Sequence, residues 1–153
     1  MSETILDIWV PGRPVPQGSL SRNRQGKTYQ KKELLDWRQL ITHAATQYTG
    51  TYFGAWEPLD EAVRVDATFY MPRPKTVTRD LPTSSPDVDK LARGLLDALA
   101  PKVNRRTAPG AFLEDDSRVV DLRVDKQYAH GIEGTDGHEA GVRLKVRRIG
   151  EAN

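Results

Sequence analysis

The 153-residue sequence contains no cysteine. A disulfide framework and a thiolate metal site are both excluded, and a reducing compartment is the natural home. Aromatic residues make up only 7% of the chain and hydrophobic residues 37%, enough for one core but not two. Long apolar runs are missing. The longest stretch free of Asp, Glu, Lys and Arg covers 39–56 and carries Thr, Gln, Gly and His, so it is no membrane-spanning helix. The start of the chain carries Glu3 and Asp7 and lacks a basic segment followed by an apolar run, so a secretion signal is not expected and the cytoplasm is. No sustained heptad and no glycine period is present, which excludes coiled-coil and collagen classes. No glycine-rich phosphate loop precedes a helix and no serine-nucleophile motif occurs. Nucleotide hydrolysis and serine hydrolase chemistry are therefore unsupported, and no nucleotide cofactor is expected. His43, His130 and His138 have no ligand spacing, and His43 is expected to be structural. A surplus of one charge sign is lacking too: the net charge is +2, too low for a protein that coats DNA without specificity.

What the chain has instead is segregated charge. Between Pro11 and Arg38 stand seven basic residues (Arg13, Arg22, Arg24, Lys27, Lys31, Lys32 and Arg38) against Glu33 and Asp36. Acids gather at Asp87 and Asp89 and again at Glu114, Asp115 and Asp116. Such a chain has one region suited to phosphates and another suited to a cation.

Periodicity divides the chain into elements. Ile5 to Val10 is a short apolar run ended by Pro11-Gly12 and reads as a buried strand. Residues 17–29 are polar and glycine-containing, which predicts a mobile loop. Leu34, Trp37 or Arg38, Ile41 and Ala45 recur at helical spacing, predicting a helix from Lys31 to about Tyr48 that Gly50 ends. Val63, Val65, Ala67, Phe69 and Met71 alternate with polar residues, the pattern of a half-buried strand. Ser84 or Ser85 followed by Pro86 predicts a hydroxyl cap and a helix running to Leu99, before Pro101. Residues 101–111 read as a loop, 119–126 and 142–147 as strands, and the glycine-rich piece between those strands as a long hairpin connection. The expected fold is α+β, one domain over 1–153. It has a mixed sheet of about four strands and two main helices, in the order β-α-β-α-β-β.

The acidic clusters carry the chemistry. At about 100° per residue, Asp89, Arg93 and Asp97 share one stripe of the second helix, and Leu91, Leu95 and Leu99 the opposite one. The leucines face the core and the acids project outward. Leu96 falls on the outward stripe. Two readings stand side by side. In one, Asp87 and Asp89 cap the helix and Asp89 forms a surface ion pair with Arg93 worth about 0.3–0.5 kcal/mol. In the other, they hold a hard divalent cation together with acids from Glu114-Asp115-Asp116, with Arg93 beside the bound phosphate. Three adjacent acids with no cation between them are expected to raise one another's pKa.

Pro86-Asp87-x-Asp89, Arg93, Leu96-Asp97-Ala98-Leu99, Asp115-Asp116, Val119-Val120 and Lys126 together resemble the RusA family of Holliday junction resolvases, found widely in bacteriophages and prophages. The N-terminal segments WVPGRPVPQGS and SRNRQGKTY resemble the same family, so the likeness spans Ile5 to Lys126. The resemblance implies a Mg2+-dependent endodeoxyribonuclease, with Mn2+ as a substitute. It would nick opposing strands of a four-way DNA junction as a homodimer in DNA recombination, repair or phage DNA processing. It places Asp87, Asp89 and Asp116 as catalytic metal ligands, Asp115 as a companion acid, and the family's catalytic lysine on Arg93. Arg93 keeps the charge but cannot release a proton near neutrality, which favours an electrostatic role. Lys90 also departs from the family, which commonly has Asn there, and the 99–115 connection is longer than in compact members.

Arg22, Arg24, Lys27, Tyr29, Lys31 and Lys32 form the expected DNA contact, the cations on phosphates and Tyr29 stacked on an unpaired base. Lys126 and the added-loop residues Arg105 and Arg106 are further DNA-binding candidates. Arg143, Lys145 and Arg147 alternate with Val142, Leu144 and Val146 and read as a solvent-facing sheet surface. A branched-DNA-binding protein without activity, and a nuclease acting mainly on flaps or forks, are the alternatives.

Overall fold

The strand from Val63 to Met71 is the axis of the structure, a computed structural model that describes residues 2–18, 21–22, 28–29, 32–129 and 139–150. In chain order the elements are β1 (Ser2–Pro11), β2 (Ser21–Arg22), β3 (Thr28–Tyr29), α1 (Lys32–Tyr52), β4 (Val63–Met71), α2 (Val88–Leu99), β5 (Lys102–Val103), β6 (Arg106–Thr107), a 3₁₀ turn (Asp116–Arg118), β7 (Val119–Tyr128) and β8 (Gly141–Ile149). The main sheet runs β1-β8-β4-β7. β8 pairs antiparallel with β1 and β4, whereas β7 runs parallel to β4 at the edge. The fold is α+β with a mixed four-stranded sheet, as the alternation predicts. The β4-α2-β7 passage is the crossover that a parallel pair requires.

β4 buries alternate residues: Val63, Val65, Ala67, Phe69 and Met71 enter the core. α1 and α2 share that core, α1 through Trp37, Ile41 and Ala45 and α2 through Leu91, Leu95 and Leu99. Each of the three leucines is fully buried, worth about 1.5–3 kcal/mol of transfer free energy. The helices are tied to each other by the Thr42 hydroxyl, which donates to Ala98 O at 2.7 Å. Leu96 is half-buried and packs against the same core.

Several expectations are corrected. Gly50 does not end α1; the helix runs on to Tyr52, because a helical glycine costs only about 0.5–1 kcal/mol. Its stop is Gly54, at φ 78°, whose N–H donates to Thr49 O at 3.1 Å. The serines do not cap α2. Asp87 is its N-cap, Pro86 precedes it, and the Ser84 hydroxyl accepts instead from Arg79. The expected loop over 17–29 contains the β2–β3 pair. The 101–111 loop contains the β5–β6 hairpin, whose tip Asn104-Arg105 has φ 53° and 65°, the two-residue turn that matches strand twist. β7 and β8 are not a hairpin: β4 lies between them, since both edges of β8 are taken by β1 and β4. Most of their glycine-rich connection (130–138) lies outside the described residues. His43 is exposed rather than structural.

Candidate functional site

Asp87 is extended (φ −73°, ψ 142°) and its carboxylate accepts no bond from the helix N–H groups it precedes. It is exposed, with the Lys90 ammonium 3.7 Å away. Asp89 is exposed in the first turn of α2. Asp89 and Arg93 form no ion pair among the described residues. The expected side-chain cap bond and Asp89–Arg93 pair are thus absent among the described residues, and the ion pair at this helix end is Asp87 with Lys90.

The turn that leads into Asp87 is held from across the sheet edge. Lys126, near the end of β7, donates from Nζ to Ser84 O at 3.0 Å and to Pro86 O at 2.8 Å. A second main-chain contact, Gln17 N–H to Lys90 O at 3.0 Å, brings the segment that opens the basic region against the first turn of α2.

The second acidic segment is anchored from within. Leu113 is fully buried, and its N–H donates to Leu99 O at 2.9 Å, where α2 ends. Glu114 N–H donates to Leu59 O at 3.0 Å. Asp115 then caps the 3₁₀ turn, accepting from Ser117 N–H at 3.0 Å, and pairs with Lys102 at 3.2 Å. Ser117, and then Lys102, hold the Asp115 carboxyl well below the usual carboxylate range. The expectation that adjacent acids raise one another's pKa is thus reversed at Asp115, because a cation and a donor-rich turn meet it. Lys102 also donates to Glu114 O at 3.0 Å, and the Thr107 hydroxyl donates to the same oxygen at 2.6 Å. Asp116 opens the 3₁₀ turn as an exposed residue, and that turn lies beside α2. Arg118 closes the turn on Asp60 at 2.6 Å.

Asp87, Asp89 and Asp116 offer only oxygen donors, the type that suits a hard divalent ion. Asp115 suits it less, being engaged by Ser117 and Lys102. Among the described residues no group of three His, Cys, Asp or Glu side chains is gathered as a metal cage.

Arg24, Lys27 and Lys31 lie outside the described residues. Arg22 and Tyr29 fall on β2 and β3. Lys32 is exposed and pairs with Asp36 at 3.0 Å. Arg105 and Arg106 are exposed at and beside the β5–β6 tip. Sequence reasoning did not find Lys102 and Thr107, which hold the acidic turn, nor the pairing of Asp60 with Arg118. A lysine and a threonine in a two-stranded hairpin carry no motif. Only their closeness in sequence to the acids hinted at a role.

Residues 11–135 match the Endodeoxyribonuclease RusA family. The match covers most of the chain, which therefore belongs to that endodeoxyribonuclease family. The chain is also similar to an uncharacterized Bacillus subtilis (strain 168) protein, YqaN. The two are 29% identical over 139 residues, covering 81% of this chain and 88% of the relative. No helix among the described residues is long and apolar enough to cross a membrane.

Proposed function

We propose that this protein is a Mg2+-dependent endonuclease that nicks four-way DNA junctions symmetrically as a homodimer, in the cytoplasm of a bacterial host. The observation that carries the reading is the placing of exposed carboxylates on adjoining segments. The Asp87 and Asp89 carboxylates stand at a helix start with no side-chain cap bond, Asp87 facing the exposed Lys90 at 3.7 Å, and the turn that begins at Asp116 lies beside the same helix. In a chain of an endodeoxyribonuclease family, such carboxylates are best explained by a cation shared with DNA.

Asp87, Asp89 and Asp116 would hold Mg2+, with Mn2+ as a substitute. When bound, the ion supplies Lewis-acid polarisation of a phosphate oxygen and lowers the pKa of its water. The chain itself contributes position and charge. Arg93, one turn beyond Asp89, carries a permanent positive charge for the phosphate as negative charge builds on it. Asp115 fixes the turn that presents Asp116. Arg22, Arg24, Lys27, Lys31, Lys32, Arg105 and Arg106 supply phosphate contacts, and Tyr29 a stacking surface. A four-way junction has approximate two-fold symmetry, so paired nicks call for two sites in a C2 dimer.

The test is a cleavage assay on a synthetic mobile junction with Mg2+, with Asp89→Asn as control. Paired nicks lost in the variant support the proposal. Junction binding in EDTA without nicks at any Mg2+ or Mn2+ level would make the protein a branched-DNA binder. Faster cleavage of flaps or forks would keep the nuclease and change its substrate.

A further inference from the structure

We infer that Lys126 is a positioning residue for Asp87 and Asp89, acting through the turn before α2 rather than by touching DNA; this rests on the reading of those acids as metal ligands. Lys126 stands opposite Phe69 in the parallel β4–β7 register, so a strand of the main sheet fixes its origin. Its ammonium is aimed at two main-chain oxygens, Ser84 O at 3.0 Å and Pro86 O at 2.8 Å. An ammonium has three donors, and here two are spent on carbonyls two residues apart. The two carbonyls converge on this one cation across a bend that contains the cis Ser85–Pro86 peptide, so Lys126 tethers that bend to β7. Charge-assisted bonds of this kind are about twice as strong as neutral ones.

The bend fixes where Asp87 starts. Asp87 comes directly after Pro86, and its own carbonyl accepts from Leu91 N–H at 3.2 Å as α2 begins. Asp87 is therefore held on one side by the helix and on the other by the carbonyl that Lys126 grips. Residues 80–87 have no regular structure, and the Arg79–Ser84 side-chain bond is an exposed one. Lys126 ties this turn to the sheet from the β7 side. A lysine meant for phosphates would leave its donors to solvent; this one is half-buried and engaged.

The experiment uses the full chain without metal, as wild type, Lys126→Met and Lys126→Arg. Hydrogen exchange of the Leu91 amide, which donates to Asp87 O at 3.2 Å, is followed, with β4 and β8 amides as reference. Lys126→Met should speed exchange at Leu91 roughly ten-fold or more and leave the reference amides unchanged. Lys126→Arg, which keeps cationic donors, should stay within about three-fold of wild type. Junction affinity in EDTA should be the same in all three, while the single-turnover nicking rate falls only in Lys126→Met. Unchanged exchange in Lys126→Met overturns the inference. So does a loss of junction affinity without faster exchange, which makes Lys126 a phosphate contact. Should Lys126→Met fail to fold, the wild-type Lys126 Nζ decides by nitrogen-15 NMR. A slowly exchanging ammonium signal supports the inference, and a solvent-averaged one overturns it. Failure of the wild type to nick DNA would sink the nuclease reading and leave the exchange result standing.

Discussion

The Lys102 ammonium lies 3.2 Å from the Asp115 carboxylate and 3.0 Å from the carbonyl of Glu114, so one side chain of the β5–β6 hairpin holds both the charge and the main chain of the acidic turn. The hairpin is thus part of the support for Asp116.

Asp115 gives this support a pH signature. Ser117 and Lys102 depress its pKa in the folded chain, so the unfolded chain binds a proton first as pH falls. The stabilisation is complete at neutral pH, begins to fade as pH nears the unfolded value of about 4, and is lost in stronger acid. Asp115→Asn should lower the urea midpoint at pH 7, and the gap from wild type should narrow progressively as pH falls below about 4. A gap that is constant from pH 7 to pH 2 would contradict this assignment.

Arg93 should act through charge. Arg93→Met should cut the nicking rate about 10²–10³-fold with junction affinity in EDTA little changed, the range for losing one preorganised donor at a developing charge. Arg93→Lys should retain most of the rate. Single-turnover rates against a binding titration separate the two effects.

Gly141 should tolerate no side chain. A Cβ there would lie 2.6 Å from the Trp9 ring and 2.5 Å from Val10 O. Trp9 packs on Tyr70 at 5.7 Å between centroids, and Tyr70 stands opposite Gly141 in the sheet. Gly141→Ala should cost about 1–3 kcal/mol, the range for overpacking. In a double-mutant cycle Trp9→Ala should rescue only part of it, because the carbonyl clash remains.

Arg105 should be replaceable. It occupies the left-handed region at φ 65°, which costs an L-residue about 1–2 kcal/mol. Arg105→Gly should raise the urea midpoint slightly while lowering junction affinity through the lost phosphate contact. A lowered midpoint would contradict the turn assignment.

Much of this was legible in the sequence. The β4 alternation and the Leu91, Leu95, Leu99 stripe report burial directly, because side-chain spacing and element period are the same physical fact. The Asp87-x-Asp89 and Asp115-Asp116 segments suggest one site in sequence because the residue types share one chemistry; the structure sets the Asp116 turn beside α2, with no three-acid cage among the described residues. Other features were not legible. The β7–β8 hairpin failed because pairing is a global choice: β8 had β1 and β4 available, and local turn residues do not report that. Lys102 and Lys126 were illegible as latches because a lysine bound to carbonyls looks, in sequence, like any surface lysine. Gly50 misled because a glycine inside a long helix costs less than the packing on either side returns.

The central claim is that carboxylates from the start of α2 and from the turn after Leu113 serve one ion. The most direct measurement is a crystal grown with Mn2+, read by anomalous scattering. The account predicts a manganese peak bonded to Asp116 and to at least one of Asp87 and Asp89. A peak served by one segment alone, with the Asp116 carboxylate turned to solvent, would contradict it.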